Sequence, residues 1–297
     1  MTMLTTQLSA AHWDELRAAG HLDTSPDAAV TAAEQVLRDA ARRDVARRRA
    51  RRRRRSALLA VAAGALAVVV APTFSVGGRP AASAEAAAFL REVAIVAAGG
   101  PDLGADVNYW YVHWQYQHPG QQPVVRQDWQ GRVESNRIID PGQDWDFRTG
   151  EPGLWSYGDV RCDWECIRAL PEDSDALGQE LRSALERQGN PDPDTQLFAC
   201  VGDLLRFSPA TPAVRAALYQ VMATVPGVTL NGEATDATGR PAVLVERRQS
   251  PDSGPHSYVV GYLIDPGTGA LLEERSNGYV ATYFVQGGVP DDVTTLD

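Results

Sequence analysis

From Ser56 to Val76 the chain reads SALLAVAAGALAVVVAPTFSV, 21 residues without a charge. At about 1.5 Å rise per residue, a helix of that length reaches ~30 Å, the thickness of a bilayer's hydrocarbon core. Arg51, Arg52, Arg53, Arg54 and Arg55 stand directly before it. Arg42, Arg43, Arg47, Arg48 and Arg49 extend the basic run, which only Asp44 interrupts with a charge of the other sign. A basic flank on one side of an apolar span stays in the cytoplasm. The sequence therefore predicts a cytoplasmic tail over residues 1–55, a transmembrane helix over 56–76, a linker over 77–84 and an extracytoplasmic domain over 85–297. This is the layout of a single-pass protein of the cell membrane. Ala82-Ser83-Ala84 has the small-x-small form of a cleavage site, so a cleaved signal peptide stays open beside an uncleaved signal anchor. The 55 residues ahead of the span favour the anchor.

The charge distribution agrees with that division. The net charge is −10, but residues 1–55 hold 12 Arg and 7 acids, while residues 81–297 hold 15 Arg and 31 acids. All the basic residues are Arg. Beside an apolar span the Arg run is explained by topology and by contact with anionic lipid, so no nucleic-acid partner is expected. Within the tail, AHWDELRAAG and the stretch after Ser25-Pro26-Asp27 read as two short helices. Two such helices bury little core by themselves. The tail is either a docking element for a cytoplasmic partner or an anchor alone.

Beyond the linker, EAAAFLREVAIVAA reads as a helix closed by Gly99-Gly100-Pro101. DVNYWYVHWQYQ, QPVVRQDWQ and RVESNRIID read as strands, with two more near 145–148 and 153–160. Alternation along the first puts Tyr109, Tyr111, His113 and Gln115 on one face and Trp110, Val112, Trp114 and Tyr116 on the other. A helical block follows in PEDSDALGQELRSALERQG, DTQLFACVGDLLRF and TPAVRAALYQVMATV. Strands return in VTLNGEAT, PAVLVERRQ, SYVVGYLID, ALLEERSN and YVATYFVQG. Runs of strands with segregated helices define an α+β class, here a curved antiparallel sheet with packed helices.

The stretch LRFSPATPAVRAALYQVMATVPGVTLNGEATDATGRPAVLVERR, with YLIDPGTGALLEE after it, resembles a family of uncharacterised actinobacterial single-pass membrane-anchored proteins. The segment from Leu170-Pro171 to Ala176-Leu177 matches that family's L-P-x-D-x-x-A-L pattern, and the Arg-rich stretch before one span is shared. The resemblance covers roughly residues 40–280. Members often accompany extracytoplasmic-function sigma factors, so it implies a regulatory role with a sigma factor or another cytoplasmic partner. The zinc-binding motif of anti-sigma factors is absent from the sequence. The sheet-with-helices arrangement also resembles periplasmic lipoprotein-carrier folds, which implies a second role as an envelope lipid or lipoprotein carrier, or a scaffold, with the tail as anchor only.

Local chemistry adds few constraints. Cys162 and Cys166 are four apart and Cys200 lies in a predicted helix; Cys162–Cys166 and Cys166–Cys200 are both open as disulfide pairings. Few His accompany them, so no metal site and no cofactor are expected. The motifs G-x-S-x-G, H-E-x-x-H and S-x-x-K and the Walker phosphate loop are absent, and no enzyme activity is expected. Aromatic residues crowd 110–164. Core packing accounts for most of them, and Trp110, His113, Trp114 and Trp129 are the candidate lining of a cleft for a lipid or peptide ligand.

Overall fold

The computed structural model describes residues 82–189, 192–248 and 259–289. The tail, the Arg run and the apolar stretch 56–76 lie outside the described residues. Among the described residues no helix is long and apolar enough to cross a membrane.

Helix α1 (Ala84–Ala98) comes first, followed by strands β1 (Tyr109–Gln117), β2 (Val124–Gly131), β3 (Arg137–Asp140) and β4 (Trp145–Arg148). A short hairpin of β5 (Trp155–Tyr157) and β6 (Val160–Cys162) leads into α2 (Trp164–Arg168), α3 (Ser174–Glu186), α4 (Pro193–Phe207) and α5 (Pro212–Met222). The chain then returns to strands β7 (Val228–Thr235), β8 (Pro241–Arg248), β9 (Val259–Ile264), β10 (Leu271–Ser276) and β11 (Tyr279–Val289). The α+β class read from the sequence is therefore present.

The helices begin where the sequence places capping side chains. Ser83, Asp163, Asp173, Asp192 and Thr211 each accept a hydrogen bond from a backbone N–H of the following first turn. Each such bond satisfies a donor that the helix itself leaves free, at about 1 kcal/mol per cap. Pro193 and Pro212 occupy first-turn positions, where a missing N–H costs nothing.

Nine strands form one antiparallel sheet in the order β4-β3-β2-β1-β11-β10-β9-β8-β7. It consists of two meanders, β1 to β4 and β7 to β11, joined where the first strand of one pairs with the last strand of the other. Tyr109 lies opposite Val289 and Gln117 opposite Val280, with one register shift between His113 and Trp114. The helices pack on one face, here called the helix face. Leu90 and Val93 of α1, Phe198, Val201 and Leu205 of α4, and Val214 and Leu218 of α5 are buried in one core with Trp110 and Val112 of β1 and Val245, Tyr262 and Ile264 from β8 and β9. Each large apolar side chain so buried contributes about 1.5–3 kcal/mol. A smaller cluster of Ala242, Leu263 and Leu272 lies apart from this core.

Two local readings differ from the structure. RVESNRIID was expected to be extended throughout, but only Arg137–Asp140 is strand. Residues 132–136 turn back over Gly131, whose N–H donates to Asn136 Oδ1 at 2.8 Å. A Cβ on Gly131 would overlap the Glu134 backbone, so glycine is what lets the chain reverse there. The sequence predicts no helix around RCDWEC, yet that stretch contains α2. Asp163 caps it, and the sequence pattern is too short to show a helix of five residues.

Gly202 on α4 permits a close approach of helix to sheet. Tyr262 stacks on Phe198 with ring centroids 4.9 Å apart, and its phenol lies against the bare backbone at Gly202.

Candidate functional site

At the junction of β1 and β11, on the helix face, two arginine clusters meet through aromatic rings. The first belongs to β2 and β3. Arg126 and Asp128 are two apart on one strand, so they share a face. Arg126 Nη2 donates to Asp128 Oδ1 at 2.8 Å, and Nη1 reaches Asp140 Oδ2 at 3.4 Å. Tyr116 donates its hydroxyl to Asp140 at 3.0 Å, and the Trp114 indole N–H donates to Asp128 at 2.6 Å. Both carboxylates are buried. The Arg126 guanidinium lies 5.5 Å from the centre of the Trp114 ring. Burial alone would favour the neutral guanidine, but Asp128 and Asp140 outweigh it and raise the Arg126 pKa.

The second cluster centres on Arg206, near the C-terminal end of α4. It pairs with Glu274 on β10 and with Asp203 one turn back, and donates to the Tyr283 hydroxyl at 2.9 Å. Its guanidinium sits 5.2–5.3 Å from the Phe207, Tyr262 and Tyr283 rings. The Arg206 side chain is 3% exposed, whereas Asp203 is 63% exposed, so this ion cluster runs from the core to the surface. Burial opposes the charge on Arg206, while Tyr283, Tyr262 and the two carboxylates favour it, and the net effect is a pKa well above the ordinary value. Burial drives the Tyr262 and Tyr283 pKa values up in turn. At neutral pH the site thus holds charged guanidiniums and neutral phenols.

Trp114 joins the two clusters. Its ring stacks near Tyr283 at 5.8 Å and meets Phe207 edge-on at 5.8 Å. His118 extends the aromatic line, 5.8 Å from Tyr116 and 5.2 Å from Tyr279. Burial, with Glu274 nearby, pushes the Tyr279 phenol up to about 12. Four carboxylates (Asp128, Asp140, Asp203 and Glu274) face two guanidiniums here. The arrangement suits holding charge and aromatic surface in a fixed geometry. Among the described residues, no group of three His, Cys, Asp or Glu is placed to hold a metal ion.

The four residues singled out from the sequence as a cleft fall on both sides of the sheet. Trp110 and Trp114 are on the helix face, and Trp110 is fully buried with its indole N–H donating to the Arg206 carbonyl at 3.0 Å. His113 and Trp129 are on the opposite face. There Trp129 meets Tyr111 at 4.8 Å, and His113 meets Phe284 at 5.2 Å. Period-two alternation separates the two pairs by the thickness of the sheet, so they do not line one cleft. Arg126, Asp128, Asp140, Arg206, Glu274 and Tyr283 were not singled out. The R-Q-D spacing in β2 was a readable signal for the first pair. The i,i+3 spacing of Asp203 and Arg206 was a readable signal for part of the second cluster, but nothing local marks Glu274 or Tyr283 as its other partners.

Cys162 and Cys166 form a disulfide that ties the end of β6 to α2, with Cα atoms 5.2 Å apart. Cys200 is a free, buried thiol in α4, and burial together with Asp203 pushes its pKa up to about 12. A thiolate is the reactive form, so Cys200 is protected twice. Native protein at pH 7.5 should incorporate no iodoacetamide. Denatured, unreduced protein should take up one equivalent, and denatured, reduced protein one for each of its 3 Cys, as read by intact mass. A second equivalent before reduction would contradict the bridge.

No family model matches the sequence, and no curated protein matches it. Among solved structures, the chain is similar to the complex structure of Pseudomonas aeruginosa MucA/MucB. The identity is 17%, the match covers 71% of this chain and 60% of that chain, and the TM-score is 0.30. The chain thus spans less than two thirds of the length of that neighbour.

Proposed function

We propose that the protein is a single-pass membrane protein whose extracytoplasmic α+β domain is a sensor or binding domain that regulates a sigma factor or another cytoplasmic partner through residues 1–55. The observation that carries this reading is the uncharged run from Ser56 to Val76 directly after Arg51 to Arg55. The Cys162–Cys166 disulfide supports an oxidising compartment for the domain, since such bonds are rare where thiols are kept reduced. The domain's acidity supports solubility outside the membrane and works against unspecific adhesion to anionic lipid.

A lipid carrier needs an apolar lining left free for its cargo. On the helix face, Val245, Tyr262 and Ile264 are instead packed with side chains of the protein's own helices. The partly exposed groups beyond them, Arg126 and Glu274, are charged. The binding reading is therefore preferred.

Topology and partner are tested separately. Reporter fusions after residue 50 should be cytoplasmic, and fusions after residue 85 external; the reverse result overturns the reading. The full chain in mild detergent should retain a sigma factor or other regulator from its own cytoplasm, and lose it when residues 1–40 are removed. Recovery of no such partner removes the signalling role and leaves the tail an anchor.

A further inference from the structure

The nine-stranded sheet has two edges, and they are built differently. At the β7 edge, Ser83 N–H donates to Val228 O at 2.9 Å, so the segment before α1 occupies part of the rim. The pairing of β7 with β8 also shifts between Leu230 and Glu233, where Gly232 has φ +82°. Bulges and coverings of this kind discourage another strand from adding. At the β4 edge, β3 and β4 pair without a shift from Arg137–Arg148 to Asp140–Trp145. Hydrogen bonds from Thr149 N–H to Asn136 O and from Asn136 N–H to Glu151 O, both 3.0 Å, carry the contact further. All four residues of β4 are exposed.

Two of the four are large aromatics. Trp145 is 42% and Phe147 41% exposed, and their rings meet edge-on at 5.9 Å. Trp145 pairs with Asp140 and Phe147 with Ile138, so both rings stand on the helix face of the sheet. An edge strand also presents a row of N–H and C=O groups that no strand takes up. Asp146 is paired with Arg137 of β3 at 3.2 Å, which leaves Asp144 and Glu151 against Arg148, a small local excess of acid on a domain with 31 acids to 15 Arg from residue 81 onward. That field opposes a second copy of the chain and attracts a basic segment.

We propose that β4 accepts an extended, basic segment of a partner protein as a tenth strand, with Trp145 and Phe147 receiving its cationic side chains face-on. Backbone pairing supplies the affinity, and alternate side chains on the aromatic pair supply the selectivity. The inference rests on the reading of the outer domain as a binding domain. It is independent of what the cytoplasmic tail binds, so failure of the tail experiment leaves it standing.

The test uses the full chain in detergent and three short fluorescein-labelled peptides, read by anisotropy. One alternates Arg and Val, one alternates Glu and Val, and the third is the Arg–Val peptide with alternate amides N-methylated. The Arg–Val peptide should bind, more weakly as salt rises, and the other two should not. Trp145→Ser with Phe147→Ser should weaken binding about tenfold, the loss expected for two exposed cation–π contacts, with an unchanged far-UV circular dichroism spectrum. If that variant misfolds, Glu151→Lys, at an exposed position, should weaken the Arg–Val peptide in its place. Failure of the Arg–Val peptide to bind overturns the proposal, as does equal binding by the N-methylated peptide or by both variants. So does a chain dimer that is lost on substituting Trp145 and Phe147.

Discussion

Arg206→Met should destabilise the folded domain by about 3–5 kcal/mol, the range for breaking a buried ion pair from one side. The methionine fits the space but leaves Glu274 without its counter-charge and the Tyr283 hydroxyl without its donor. Asp203, largely exposed, loses little because water replaces its partner. The loss should therefore shrink in Arg206→Met with Glu274→Gln, where the carboxylate of the partly exposed Glu274 is no longer left unpaired. Arg206→Met with Asp203→Asn should be no better than the single change. Urea denaturation monitored by tryptophan fluorescence separates these cases. Equal stability of Arg206→Met and the wild type would mean that the guanidinium contributes nothing net to the seam of α4, β10 and β11.

Gly202→Ala should also destabilise, against the usual sign. In an exposed helix, replacing Gly by Ala gains about 1 kcal/mol. Here the new methyl group would overlap the Tyr262 phenol, which is fully buried and stacked on Phe198. Neither ring has room to retreat, and overpacking a filled core costs about 1–3 kcal/mol or more. We expect a net loss of about 2 kcal/mol, measured by thermal or urea unfolding. Tyr262→Leu should lose packing by itself yet recover part of the loss when combined with Gly202→Ala, because the two changes act on one contact. Strict additivity of the pair would show that the alanine is accommodated elsewhere.

These two positions illustrate what the sequence discloses and what it withholds. The class, the order of elements and most helix starts were readable, because periodicity and capping are local properties. Ser83, Asp173 and Thr211 declare their helices by residue type and position. The faces of β1 were readable too, since alternation fixes which side chains share a side. What does not follow from the sequence is which face meets which helix. Arg206 and Glu274 are 68 positions apart and pair only because α4 crosses β10. Gly202 looks like a weak spot in a helix until Tyr262 is seen beneath it. The supposed cleft mixed the two faces of one sheet, since crowding along the chain says nothing of crowding in space. The exposed Trp145 and Phe147 read as core by composition, and only the strand order places them at a rim.

The pairing of β1 with β11 bears on how the domain comes into being. Tyr109 meets Val289, about 180 residues later in the chain. Loop closure over that distance carries a heavy entropic cost, and folds dominated by such distant contacts form slowly. Each meander can organise from neighbouring segments as it emerges, but the central seam has to wait for β11. Until then the inner rims of both halves are open, including the strand that carries Trp110 and Trp114. The folding chain is thus most vulnerable to mispairing along the line that becomes the centre of the sheet, and β11 is the strand that closes it.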